Sequence, residues 1–290
     1  MSPGEPPAGT SVLGPAVAGT WYPEDAHDLV SEVDRHLAAG TTAGGAAALI
    51  APHAGFAYSG AVAGRGFAHA VGARVDRVVL IGPSHYAAFA GGAAPRADFY
   101  RTPLGDVRID RLAVDVLEGR PGLRLDDGPF RREHSLEAEL PFLQRGLAPG
   151  WKLVPVLIGA GTRREAGARV ADALRPLLGP RTLVVISSDF THFGPRFGYV
   201  PFDDDVPARI ERLDTGAIER ILAWDVAGFE DYTAATGATI CGRDAIGVLL
   251  RLMPAPLRGT IAAYDTSGRI TGDWVHSVSY ASIVFRSPAA

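Results

Sequence analysis

The chain has 290 residues, 47% hydrophobic and 21% charged, an ordinary globular composition long enough for a sizeable core. A net charge of −4 with no basic block argues against nucleic-acid binding, and no apolar run approaches the roughly 18 residues that span a bilayer. The single cysteine, Cys241, excludes an intrachain disulfide and a cysteine-rich zinc site. Almost all positive charge is arginine, with Lys152 the only lysine, which reflects coding bias more than function. The opening MSPGEPPAGTSVLGP has neither a basic n-region nor an apolar h-region, so a cytoplasmic protein is expected. Its proline and glycine content predicts a disordered tail over 1–14, followed by one domain over 15–287.

Ala16–Pro23 reads as an extended entry segment, and Glu24–Ala39 as a helix carrying Leu29, Val30, Val33 and Leu37. Ala46–Ala51 is a short apolar strand ending in Pro52-His53-Ala54-Gly55, and Ser59–His69 a small-residue helix. Arg77–Ile81 is a second strand ending in Gly82-Pro83-Ser84-His85, so two strands separated by a helix each deliver a histidine, as a βαβ unit does. Phe99–Ile109 suggests a β excursion and Asp110–Glu118 a helix. Leu136, Leu140 and Leu143 share a helical face, in which Pro141 predicts a kink or an early stop. Leu153–Ile158 is a third strand, followed by a helix over Arg163–Leu178. Leu183–Ile186, β-branched and apolar, is a fourth strand and runs into Ser187-Ser188-Asp189-Phe190-Thr191-His192. Helices over Asp205–Leu222 and Arg243–Met253 and strands over Thr260–Asp265 and Val275–Phe285 complete the pattern. Strands alternate with helices almost throughout, which predicts a single-domain α/β fold with a central, mainly parallel or mixed sheet flanked by helices.

Four groups sit after apolar strands or at a helix start: His53, His85, the Asp189/His192 pair and Cys241. Two imidazoles and one anionic ligand with open positions make a three-ligand catalytic centre for zinc or non-haem iron. Cys241 fills the anionic position, and the start of its helix favours a thiolate, with which copper(I) and zinc compete against iron. The plainer readings are a turn at each histidine and a small buried hydrophobe at Cys241. His27, His36 and His69 read as surface or helix-packing residues, and His276 as part of a strand.

The segments APHAGFAYSG, LIGPSHY, EHSLEAELPFL, PVLIGA, VISSDFTHFG and TICGRDAIGVLL, in this order, resemble the MEMO family, whose bacterial members are called AmmeMemoRadiSam system protein B. The resemblance runs from about Ala16 to Phe285. It implies the LigB-like fold of class III extradiol dioxygenases, with the active cleft at the strand ends. It places the family's metal-binding residues on His53, His85 and Cys241, and the acid and histidine of its SSDFxH motif on Asp189 and His192. The dioxygenases use a glutamate where Cys241 stands, a departure that bears against ring cleavage. The family's eukaryotic members are linked to copper and iron handling, redox control and phosphotyrosine-peptide binding, and the resemblance implies partners from a radical-SAM-linked pathway. Two functions are therefore expected to compete. One is an iron or copper oxidoreductase (zinc being a third metal) acting on a small substrate, with His192, oriented by Asp189, moving a proton and Glu133 or His134 lining the cleft. The other is a non-catalytic metal-binding or peptide-binding adaptor.

Overall fold

The computed structural model describes residues 9–162, 164–254 and 256–287. In chain order it contains β1 (Val12–Leu13), α1 (Ala26–Ala38), β2 (Ala46–Ala51), α2 (Phe56–Phe67), β3 (Arg77–Pro83), β4 (Gly92–Ala94), β5 (Phe99–Thr102) and β6 (Gly105–Arg108). There follow α3 (Arg111–Asp115), β7 (Leu123–Leu125), α4 (Leu140–Gly146), β8 (Lys152–Ile158), α5 (Arg164–Leu174), β9 (Thr182–Ser187) and β10 (His192–Phe193). The remaining elements are α6 (Val206–Leu222), α7 (Val226–Thr236), α8 (Arg243–Leu252), β11 (Arg258–Thr266), α9 (Ser267–Thr271) and β12 (Ser277–Arg286).

The four apolar runs become β2, β9, β3 and β8, which lie side by side and parallel in that order. Their apolar side chains are buried on both faces, which is why the runs do not alternate with polar residues. Antiparallel strands extend the sheet at both edges, β12 beyond β2 and β4 beyond β8. β12 also pairs with β10 and β11, and β7 pairs with β4. A separate small sheet joins β1, β5 and β6. The fold is thus the expected mixed α/β architecture.

The order in space differs from the order in sequence, because β9 is inserted between β2 and β3. Crossovers between parallel strands are right-handed, so steps in opposite directions across the sheet send their helices to opposite faces. Accordingly α1, α2 and α4 pack together on one face, and α5, α7 and α8 on the other. The chain leaving β9 therefore parts from the chains leaving β2 and β3. A crevice opens where neighbouring connections diverge, outside the carboxyl ends of the strands.

Several local expectations change. Residues 1–8 of the expected tail lie outside the described residues, but Val12 and Leu13 pair with Phe99 and Tyr100, and Leu13 is buried. Arg163, expected to open a helix, also lies outside the described residues. Pro141 neither kinks nor stops a helix: it sits in the first turn of α4, where its missing N–H has no partner to lose. The residues before it form a 3₁₀ turn over Glu137–Glu139. Among the described residues, no helix is long and apolar enough to cross a membrane.

Glycines set the approach of α2 to α1. A Cβ on Gly64 would stand 2.6 Å from the carbonyl carbon and oxygen of His36, backbone that cannot move aside cheaply. In α5, a Cβ on Gly167 would meet only Val248 Cγ2 at 3.9 Å. Alanine is favoured over glycine in helices by about 1 kcal/mol, whereas overpacking costs about 1–3 kcal/mol. Gly64→Ala is therefore expected to destabilise the protein and Gly167→Ala to stabilise it, as read by the midpoint of chemical denaturation. The same sign for both substitutions would contradict this packing.

Candidate metal centre

The crevice collects the loops that follow three adjacent strands. His53 stands two residues beyond β2, His85 two beyond β3, and Asp189 two beyond β9. Cys241 enters from the other face, immediately before Gly242, the N-cap of α8. Gly242 is required there, since a Cβ would approach Ser188 Cβ to 2.4 Å. One ligand atom each from His53, His85 and Cys241 lies within 4.8 Å of the others. Cys241 Sγ is 3.4 Å from His53 Nε2, and the two imidazole centroids are 5.3 Å apart.

Both imidazoles are held from behind. His53 Nδ1 lies 2.7 Å from Ser187 Oγ, and its main-chain N–H donates to Asp189 Oδ1 at 2.9 Å. His85 Nδ1 lies 2.8 Å from Glu133 Oε1, and its main-chain N–H donates to Glu133 Oε2 at 2.5 Å. Glu133 Oε1 also accepts the N–H groups of His134 and Ser135, each at 3.0 Å. Burial acts to raise the carboxyl of Glu133, but its bonds to His85 outweigh that and hold it below the usual range. Carboxylate hydrogen bonding fixes the tautomer of His85 and leaves Nε2 free to ligate. His85 remains open to solvent on one side, its side chain 28% exposed, whereas His53 is only 2% exposed.

Electrostatics favour the uncharged forms of His53, His134 and Cys241. Burial first, and then the nearby His85, His134 and His192, push His53 well below the usual imidazole value. His134, stacked on His85 at 4.6 Å and 4.3 Å from the Trp21 ring, is lowered to about 4 by burial and by His85. The expectation of a thiolate at Cys241 is reversed without a cation: burial first, then Asp189, push the thiol well above its usual value. The main-chain N–H of Asp189 donates to the sulfur at 3.2 Å, too little to offset these effects. A bound cation would reverse the balance, because a coordinating thiol is deprotonated outright. Two imidazoles with their Nδ1 atoms engaged and one thiol are a donor set that fits a soft or borderline transition metal.

His192 and Asp189 border the same crevice but do not form the pair expected of them. His192 Nδ1 faces the carbonyl oxygens of Phe190 at 2.9 Å and Thr239 at 3.0 Å. Both are acceptors, so the neutral ring carries its proton on Nδ1 and its lone pair on Nε2. Thr239 Oγ1 accepts from His192 N at 2.9 Å and donates to His192 O at 2.7 Å, clamping the residue. Asp189 instead takes hydrogen bonds from the main chain of His53 and Ala54. The orienting roles of Ser187, Glu133 and Thr239 were not legible individually. Thr239 carries one signal, its place two residues before Cys241.

A Memo-like protein family model matches residues 14–284. The chain is 37% identical over 243 residues to the Protein memo-1 homolog of Caenorhabditis elegans, covering 81% of this chain and 69% of the relative. It is 35% identical over 290 residues to a MEMO1 family protein of Methanopyrus kandleri, covering 94% and 98%. Protein MEMO1 of Danio rerio is 35% identical over 243 residues, covering 80% and 81%. With two strand ends and the start of α8 bringing His53, His85 and Cys241 together, the chain belongs to the Memo-like protein family.

Proposed function

We propose that the protein binds iron or copper through His53 Nε2, His85 Nε2 and Cys241 Sγ, and acts as a redox enzyme on a small substrate bound beside them. The observation that carries this reading is the approach of the three ligand atoms to within 4.8 Å, from three separate segments. A bound metal would supply Lewis-acid or electron-transfer chemistry at that point. Ser187 and Glu133 orient the two imidazoles, and Asp189 holds the His53 loop by its main chain. His192, fixed through Nδ1 by two carbonyls, keeps its Nε2 lone pair to act as a general base. The open side of His85 favours an enzyme over a closed storage centre, since a substrate needs a free position.

Metal content of purified variants tests the assignment. His53→Ala, His85→Ala and Cys241→Ala are each expected to lose most of the metal. Asp189→Asn is expected to weaken binding by about 10–100-fold by loosening the His53 loop, and His192→Ala to leave it nearly unchanged. Elemental analysis with folding checked by circular dichroism reads the outcome. Loss in His192→Ala as complete as in His53→Ala would make His192 a ligand, and full metal content in all five variants would end the metal reading.

The thiol also sets a pH dependence. Its value is raised in the metal-free protein, so binding must release one proton from Cys241, while His53 is already neutral. Affinity is therefore expected to rise with pH, by about tenfold per unit across the range where the imidazoles are uncharged. Proton release measured by calorimetry in buffers of different ionisation enthalpy checks this. Release of no proton by the wild type would contradict a thiolate ligand.

A further inference from the structure

Behind His53 lies a carboxyl that the ligand set does not use. Glu139, at the end of the 3₁₀ turn, is 0% exposed. Its Oε1 is 2.8 Å from Ser187 Oγ, and its Oε2 is buried with no hydrogen-bond partner among the described residues. Ser187 Oγ is also 2.5 Å from the carbonyl oxygen of Ser135 and 2.7 Å from His53 Nδ1.

Counting protons decides the arrangement. A hydroxyl has one proton to donate, and a carbonyl oxygen only accepts. The short contact to Ser135 O therefore takes the Ser187 proton. The two remaining neighbours must then both be donors, Nδ1–H of His53 and Oε1–H of Glu139. Packing leaves little room for rearrangement, since a Cβ on Gly82 would stand 2.8 Å from Leu136 Cδ2, 3.1 Å from Ser135 Oγ and 3.3 Å from Ser187 Cβ. An ionised Glu139 would also leave a charged oxygen buried away from any donor of the described residues, at several times the cost of a neutral carbonyl. The surroundings agree: burial first, and then the nearby Asp189, push Glu139 well above the usual carboxylate range.

We propose that Glu139 is a positioning residue, held as a neutral carboxylic acid that donates to Ser187 and so locks His53 as the Nδ1–H tautomer with its Nε2 lone pair in the crevice. The two metal-facing imidazoles are thus held by opposite means, His85 by an ionised carboxylate and His53 by a neutral acid acting through a hydroxyl. The role in metal binding rests on the ligand set proposed above, but the protonation state and the tautomer do not. They are therefore read separately, in metal-free protein.

The infrared spectrum of metal-free wild type at neutral pH is expected to show a buried carboxylic acid C=O band that Glu139→Gln removes. ¹⁵N shifts of His53 are expected to show the proton on Nδ1. Absence of that band, or a proton on Nε2, overturns the proposal whatever the metal does. Zinc(II), redox-inert, then serves as the probe in competition with a chromophoric chelator. Glutamine keeps an N–H donor toward Ser187 and a carbonyl at the Oε2 position, so Glu139→Gln is expected to bind zinc within about threefold of wild type. Glu139→Leu, with no donor, is expected to lose about 10–100-fold, the usual cost of removing an orienting partner. Equal losses in the two variants would contradict a neutral donor, because only the glutamine rescues one. A wild type that binds no zinc while the band and the tautomer are as expected would remove the metal-binding role, not the neutral acid.

Discussion

The site depends on the position of β9 between β2 and β3. Because parallel strands end at one edge of the sheet, this insertion brings His53, His85 and Asp189 to neighbouring strand ends. Because right-handed crossovers send the following chain to opposite faces, the same insertion opens a crevice there and lets Cys241 enter from the far side. Had β9 been added at the outer edge of β8, the two histidines would end directly adjacent strands, with no strand between them. Ser187 could then not reach His53, and Asp189 could not hold the His53 main chain.

A second constraint is the burial of three carboxyls within seven residues. Glu133, Glu137 and Glu139 are all 0% exposed, although such residues are seldom buried unless paired. Each is directed to a different task. Glu133 holds His85. Glu137 accepts from the main chain of Ala16 and Val17 and from Tyr22 Oη, binding the entry segment to the domain. Glu139 reaches His53 through Ser187. The entry segment in turn brings Trp21 against His134, which stacks on His85. A run that departs so far from the ordinary surface placement of glutamate marks a functional site, where local rules are broken for a purpose.

Most of the fold could be read in the chain. The four parallel strands were legible because burial on both faces leaves unbroken apolar runs, and α1 because Leu29, Val33 and Leu37 recur at helical spacing. What stayed hidden was lateral order, since periodicity says which residues form a strand but not which strand lies beside it. The short edge strands β4 and β7 hold three residues each, too few for any period. The histidines and Cys241 were legible as residues at strand ends and a helix start. Their orienting partners were not, because Glu133 lies 48 residues from His85 and Ser187 lies 134 from His53, distances no local pattern spans. His192 shows the same limit from the other side. Its near neighbour Asp189 suggested a pair, yet Nδ1 is taken by main-chain carbonyls, one of them from Thr239, 47 residues away.

His53, His85 and Cys241 are proposed to bind one metal together. X-ray absorption of the metal-loaded protein tests it most directly. Two imidazole nitrogens and a single sulfur are expected in the ligand shell, the sulfur at about 2.3 Å for zinc, with loss of that sulfur in Cys241→Ser. A shell of nitrogen and oxygen alone, unchanged by Cys241→Ser, would contradict it.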